Sequence, residues 1–365
     1  MMRTLAIALA ALAFAGCDDR YAAPSLPAAP QTRAPATAAL KFRVFTAGRT
    51  QGFPAGAVAA DIAPDASGNV WFTDYATPAI GKIAADGSLT EYTQGLMPGA
   101  LPMAIIPGPD GNMWFSDYGG VAIGKVTPAG AITEFSSSQY GGTKTIGIAF
   151  RRGHPWLLGY GAQPLLGHLT AGGTIAIRLL PPHVTTDPAF VSDSAGNLWF
   201  AALKQHLRGE IAELPARDFA LMRLPLHMKH AFAPCCVNQA PRTMIVGPNG
   251  DPWFTTLYYI HKSSPAQFIG TVASGSVKLF RLTYRGLTKP AIASGIAADQ
   301  ASLWISGDDP FGNDGALWQI DAKGKQSAVS VPYSPYGLAV DGRGRPWFTS
   351  FFSGLPSQIV EVLTR

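Results

Sequence analysis

Pro109-Asp110-Gly111-Asn112-Met113-Trp114-Phe115-Ser116-Asp117 is the clearest copy of a phrase that the chain repeats seven times. Its tryptophan recurs as Trp71, Trp114, Trp156, Trp199, Trp253, Trp304 and Trp347, at intervals of 43, 42, 43, 54, 51 and 43 residues. A period of about 40–45 residues is the length of one four-stranded propeller blade. Before it, Met103 to Pro107 is a short apolar run, and Gly111-Asn112 supplies turn residues that tolerate positive φ. Met113 to Ser116 reads as a second strand, Asp117 to Gly120 as a loop, and Ala122 to Val126 as a third strand. Residues 131–135 alternate apolar and polar, as an exposed outer strand should. The sequence therefore predicts an all-β, seven-bladed β-propeller of four-stranded blades.

The inner strands are apolar on both faces, which fits blades stacked between two neighbours with the tryptophan filling the gap. Opposite it the third strand offers Gly81, Gly124, Gly167, Gly209 and Gly270, a pattern that marks close approach by a neighbouring ring. The chain ends on Ile359-Val360-Glu361-Val362, a third strand with no fourth behind it. Residues 40–46 resemble the fourth strand Leu89 to Thr93. The N-terminal strand is expected to pair with 358–363 and close the ring, leaving no free edge.

Ahead of that strand, Met1-Met2-Arg3 and the 11-residue apolar stretch Leu5 to Ala15 have the form of a secretory signal. Phe14-Ala15-Gly16-Cys17 resembles a bacterial lipoprotein box. Residues 1–16 then read as the signal, with Cys17 as the lipidated residue. Cleavage after Ala13-Phe14-Ala15 is the alternative, giving a soluble periplasmic or secreted protein. Residues 17–39 read as an Ala/Pro-rich tether, and 40–365 as the propeller. A net charge of +5 without a Lys/Arg run leaves no nucleic-acid footprint. Membrane contact is expected through the lipid alone, and the protein is expected to be a monomer. Cys235-Cys236 could form a ring disulfide, stay reduced or bind metal.

Function on a propeller concentrates at one channel mouth, where loops lead into each blade and follow its second strand. Asp74 and Asp117 hold equivalent positions there, suited either to loop capping or to ligand contact. His183, His206, His227, His230 and His261 also fall in such loops, whereas His154 and His168 do not. A metal or proton-transfer site could draw on these histidines. His227 and His230 with the cysteine pair offer zinc-type ligands at no standard spacing, so neither metal nor cofactor is assigned.

The phrase at 109–117, followed by Ile123-Gly124-Lys125-Val126-Thr127-Pro128-Ala129-Gly130, resembles the virginiamycin B lyase family. The resemblance spans roughly residues 40–365 and is strongest in blades one and two. It implies a seven-bladed enzyme that opens a cyclic depsipeptide at its ester by elimination, assisted by magnesium. It further implies a histidine leading into blade six, Glu-Pro-His-Gly leading into blade seven, and a glutamate after that blade's Trp-Phe-Thr. Here those places hold Ser294, Ser334-Pro335-Tyr336-Gly337 and Ser350. The expectation is an envelope lipoprotein on the periplasmic side that binds a small ligand or protein partner without the lyase chemistry. Asp74, Asp117, His183, His206, His230, His261 and Tyr336 are the candidate mouth residues, and no catalytic residue is assigned. The alternative is a lyase or metal-dependent hydrolase acting on a cyclic ester or depsipeptide.

Overall fold

A computed structural model describes residues 40–181, 185–204, 208–216, 222–225, 241–259, 265–282, 292–308, 314–321, 323–351 and 354–363. Seven antiparallel four-stranded sheets make up the fold, with no helix among the described residues. Blade one runs Ala59–Pro64, Val70–Asp74, Ala79–Ile83 and Leu89–Tyr92. Blade two runs Pro102–Pro107, Met113–Asp117, Val121–Val126 and Ile132–Ser137. Asp117 is thus the last residue of its strand, paired with Pro102, rather than the first of a loop. Every residue of Val70–Asp74, Met113–Asp117 and Pro346–Ser350 is buried, as strands covered on both faces must be.

Blade seven is composite. Pro335–Val340, Pro346–Ser350 and Gln358–Leu363 come from the end of the chain, and Lys41–Thr46 adds the outer strand. The pairing runs from Lys41 opposite Leu363 to Thr46 opposite Gln358, as the two chain ends predict.

The tryptophans pack between neighbouring blades. Trp71 packs with Ile105, Phe115 and Val126 of blade two, and Trp114 with Ile148 and Leu157 of blade three. Trp347 meets Ile62 and Phe72 of blade one across the closure. Each indole N–H is also spoken for in six blades. Asp65, Asp110, Asp193, Asn249, Asp299 and Asp341 accept it at 2.8–3.2 Å from Trp71, Trp114, Trp199, Trp253, Trp304 and Trp347. The aspartate or asparagine in the turn therefore satisfies a donor that burial would otherwise leave costly.

The third-strand glycines answer a different ring from the one expected. Gly81, Gly124 and Gly270 lie opposite Phe72, Phe115 and Phe254 of their own blades. A Cβ at these glycines would sit 2.0–2.1 Å from the phenylalanine ring. The close approach is thus by the residue after the tryptophan, within the blade. Blade six inverts the arrangement: Ile305 takes the phenylalanine place and Trp318, fully buried, takes the glycine place.

Candidate functional site

Each first strand carries a bulge, which falls between Ala59 and Ile62 in blade one, Ala293 and Gly295 in blade six, and Pro335 and Leu338 in blade seven. A bulge frees a backbone N–H from the ladder and re-aims side chains. In these three blades the freed group is met by the residue two after the tryptophan. Asp61 N–H donates to Thr73 Oγ1 (3.1 Å), Gly295 N–H to Ser306 Oγ (3.0 Å) and Gly337 N–H to Thr349 Oγ1 (2.9 Å). The hydroxyl then donates across to the next first strand. Thr73 reaches the Met103 carbonyl (2.6 Å), Ser306 the Tyr336 carbonyl (3.2 Å) and Thr349 the Ala60 carbonyl (3.3 Å). These brackets tie neighbouring blades around the channel.

Beside the brackets lies the mouth. Asp74 pairs across with Ala59, Asp117 with Pro102, and Ser350 with Pro335, so the three are one station in three blades. All three perform the same task. Asp74 Oδ1 accepts the N–H of Val58 (2.8 Å) and of Ala76 (3.0 Å), and Thr77 donates its hydroxyl to the other oxygen. Asp117 Oδ1 accepts from Leu101 and Gly119, each at 2.6 Å. Ser350 Oγ accepts from Ser334 N–H at 3.1 Å. Both aspartates are buried and occupied by the backbone of their own blade.

One residue beyond the strand partner of Asp74, and of its counterparts Asp117, Thr256, Gly307 and Ser350, stands a second station: Ala60, Met103, Arg242, Ser294 and Tyr336. Register in blades six and seven therefore agrees, because Ser294 and Tyr336 fall on the same station independently of the motif reading. Ser294 Oγ donates to the Pro335 carbonyl (2.9 Å), which brings Ser294, Ser334, Tyr336 and Ser350 together at one junction. Three of them are buried serines, while Tyr336 is 48% exposed. The Tyr336 and Phe351 rings lie 5.0 Å apart at 55°. His183, His206, His230 and His261, with His227, Cys17 and the Cys235-Cys236 pair, lie outside the described residues. Arg242 carried no flag in the sequence, since only the register puts it on the station of Ser294 and Tyr336.

Magnesium demands hard oxygen ligands, usually one or two carboxylates with waters. The junction supplies neutral hydroxyls: those of Ser294 and Ser350 are hydrogen-bonded to backbone, and that of Tyr336 is phenolic. Among the described residues no group of three His, Cys, Asp or Glu converges as a metal site. This set does not fit the ion. It also lacks a base, because a serine or tyrosine hydroxyl is far from titrating near neutral pH. What the junction presents to solvent is the aromatic face of Tyr336.

The virginiamycin B lyase family matches residues 41–225. That segment covers blades one to four, and the junction of blades six and seven lies beyond it. No curated protein sequence matches the chain. Among solved structures, a streptogramin B lyase superposes with a TM-score of 0.68 at 21% identity, over 89% of this chain and 98% of that one. A catalytically inactive virginiamycin B lyase from Staphylococcus aureus with quinupristin gives 0.68 at 18%, over 89% and 100%. A gluconolactonase from Xanthomonas campestris gives 0.50 at 12%, over 88% and 90%. At such identities the likeness establishes the fold alone.

Proposed function

The chain belongs to the virginiamycin B lyase family, and from that premise we propose a ligand-binding member that has lost the ring-opening reaction. The observation that carries this reading is the junction of Ser294, Ser334, Tyr336 and Ser350. These four stand where the family's histidine, glutamate, histidine and glutamate are expected. Base catalysis typically contributes about 10²–10⁴-fold, and an enolate formed without its metal loses its main stabiliser. Hydroxyls turned onto the backbone replace neither. What remains at the mouth is an aromatic face, Tyr336 against Phe351, with Arg242 on the equivalent station of blade five. Such a surface suits a small molecule or peptide segment that stacks and accepts hydrogen bonds.

A depsipeptide of the streptogramin B type, incubated with the purified protein and magnesium, is expected to stay cyclic by mass spectrometry. Linearisation at a rate comparable with a true lyase overturns the proposal. Native mass spectra test the binding half. Protein from the envelope fraction is expected to retain a small molecule that Tyr336→Ala loses, and identical spectra would count against it.

The same proposal places the protein in the cell envelope, held on the periplasmic side by lipid on Cys17. The support is the apolar stretch ending in Ala15-Gly16-Cys17 and the Ala/Pro-rich tether behind it. Cys17→Ser is expected to move the protein out of the membrane fraction or stall its precursor. Equal partitioning of mutant and wild type would favour cleavage after Ala15.

A further inference from the structure

The third blade breaks the rule that an acidic or amide side chain receives the tryptophan N–H. Its first turn is shortened to Arg152-Gly153, with φ of 51° and 81°, between Arg151 and His154. Counting from the Phe72–Ile62 and Leu157–Ile148 pairs, Arg151 falls on the station of Asp65. A cation has replaced the carboxylate. Among the described residues nothing accepts from the Trp156 indole N–H, and that nitrogen is not among the buried polar atoms lacking a partner. It therefore opens to solvent.

The opening is a cavity of about 450 Å³, lined by Arg151, Arg152, His154, Trp156 and His168, with Ala216 from blade four on its far wall. Among the described residues no carboxylate lines it. Arg151 is buried and anchored: its Nη2 donates to the Pro215 carbonyl at 3.0 Å. Its guanidinium lies 5.2 Å from the Trp156 ring, and the His168 ring stacks on Trp156 at 4.8 Å. Burial, then Arg152 and Arg178, push the Arg151 guanidinium below its ordinary value, and burial, then His154 and Arg151, lower the His168 imidazole. A ligand oxygen in the cavity would meet the indole N–H together with the exposed side chains of Arg152 and His154. The cavity is built from turns joining first to second and third to fourth strands. It lies on the face opposite the mouth and is independent of the function proposed there.

We propose that this cavity is an oxyanion site for a small carboxylate or phosphate. An oxygen of the ligand accepts the Trp156 indole N–H, as Asp65 does for Trp71, with Arg151, Arg152 and His154 around it.

The test uses the full-length protein labelled with ¹⁵N-tryptophan, titrated with sodium citrate or sodium phosphate at ionic strength held constant by sodium chloride. The Trp156 indole signal is assigned by its loss in Trp156→Phe. That signal is expected to move downfield and saturate with at least one of the two anions, while the other indoles stay in place. Saturation by citrate alone identifies a carboxylate site, and by phosphate alone a phosphate site. Arg152 and His154 are exposed. Arg152→Ala with His154→Ala is therefore expected to fold normally and to weaken saturation by about tenfold or more. Arg151→Asp restores the carboxylate of the other blades, so its Trp156 signal should start downfield and ignore both anions. If that variant fails to fold, the double variant decides. A Trp156 signal that neither anion moves, that chloride moves equally, or that titrates unchanged in the double variant overturns the site.

Discussion

Asp61 stands one residue past Ala60 on the channel wall, where its Oδ2 accepts the Ile105 N–H of the next blade at 2.9 Å. Burial raises its carboxyl from 3.8 to about 6, against the lowering effect of the Ile105 and Ile62 amides. Burial, helped by Asp74, takes Glu91 up to about 8, and burial takes Glu134 up to about 7 against its Met97 hydrogen bond. For each group the folded state holds its proton more tightly than the unfolded chain. The stability it contributes is therefore complete below the unfolded value and is lost as pH rises through the folded one. Asp65 and Asp341 work in the other direction. Burial pulls both upward, but hydrogen bonds from Trp71 and Asn69, and from Arg345 and Trp347, outweigh it and lower them. Their contribution disappears on acidification through the lowered values. Stability should accordingly peak in mildly acidic solution. Asp61→Asn keeps an oxygen for Ile105 and removes the titration. It should flatten the decline between about pH 4 and 6 and gain on the order of 2 kcal/mol at pH 7. Urea midpoints across that range measure it, and a variant whose pH profile overlays the wild type refutes the assignment.

At the scale of strands, the repeat was readable because each blade must restate the same local solution: an apolar first strand, a turn with positive φ, an aromatic second strand. Assigning roles inside the repeat was harder. Asp74 and Asp117 look the same in sequence whether they await a ligand or cap Val58 and Leu101, since the capped N–H lies 16 residues away. Small hydroxyls two residues after the tryptophan, at Thr73, Ser116, Thr255, Ser306 and Thr349, were a periodic signal in plain view. Their purpose emerges only when the neighbouring blade supplies the carbonyl. The phenylalanine–glycine pairing was half legible: the glycines announced a close ring, but only register shows which one. Blade six explains why its phrase reads so poorly. Its ring bulk has moved from the second strand to Trp318 on the third, so the volume is kept while the motif is lost. The charge inversion at Arg151 was hidden likewise, because a turn shortened by one residue conceals which station the arginine occupies.

The whole ring depends on a contact between residues more than 300 positions apart. Six pairs join Lys41–Thr46 to Gln358–Leu363. Arg43 reaches the fully buried Glu361 at 2.5 Å, and Arg345 binds the other oxygen of that carboxylate. Arg43 also lies 5.7 Å from the Trp347 ring, with Phe45 stacked on the same indole at 6.1 Å. Removing the strand would strip one partner from a buried charge and bare the edge of Gln358–Leu363. It would also forfeit the burial of Phe42, Val44 and Phe45, each worth up to about 1.5–3 kcal/mol. That sum rivals the roughly 5–15 kcal/mol by which a typical fold is stable. Deletion of residues 1–39 spares every one of these contacts and should leave the melting transition where it was. Deletion of residues 1–46 removes seven more residues and should abolish cooperative melting or leave little soluble protein. Calorimetry on the pair decides the matter, because equal transitions in the two truncations would mean that the ring holds without its N-terminal strand.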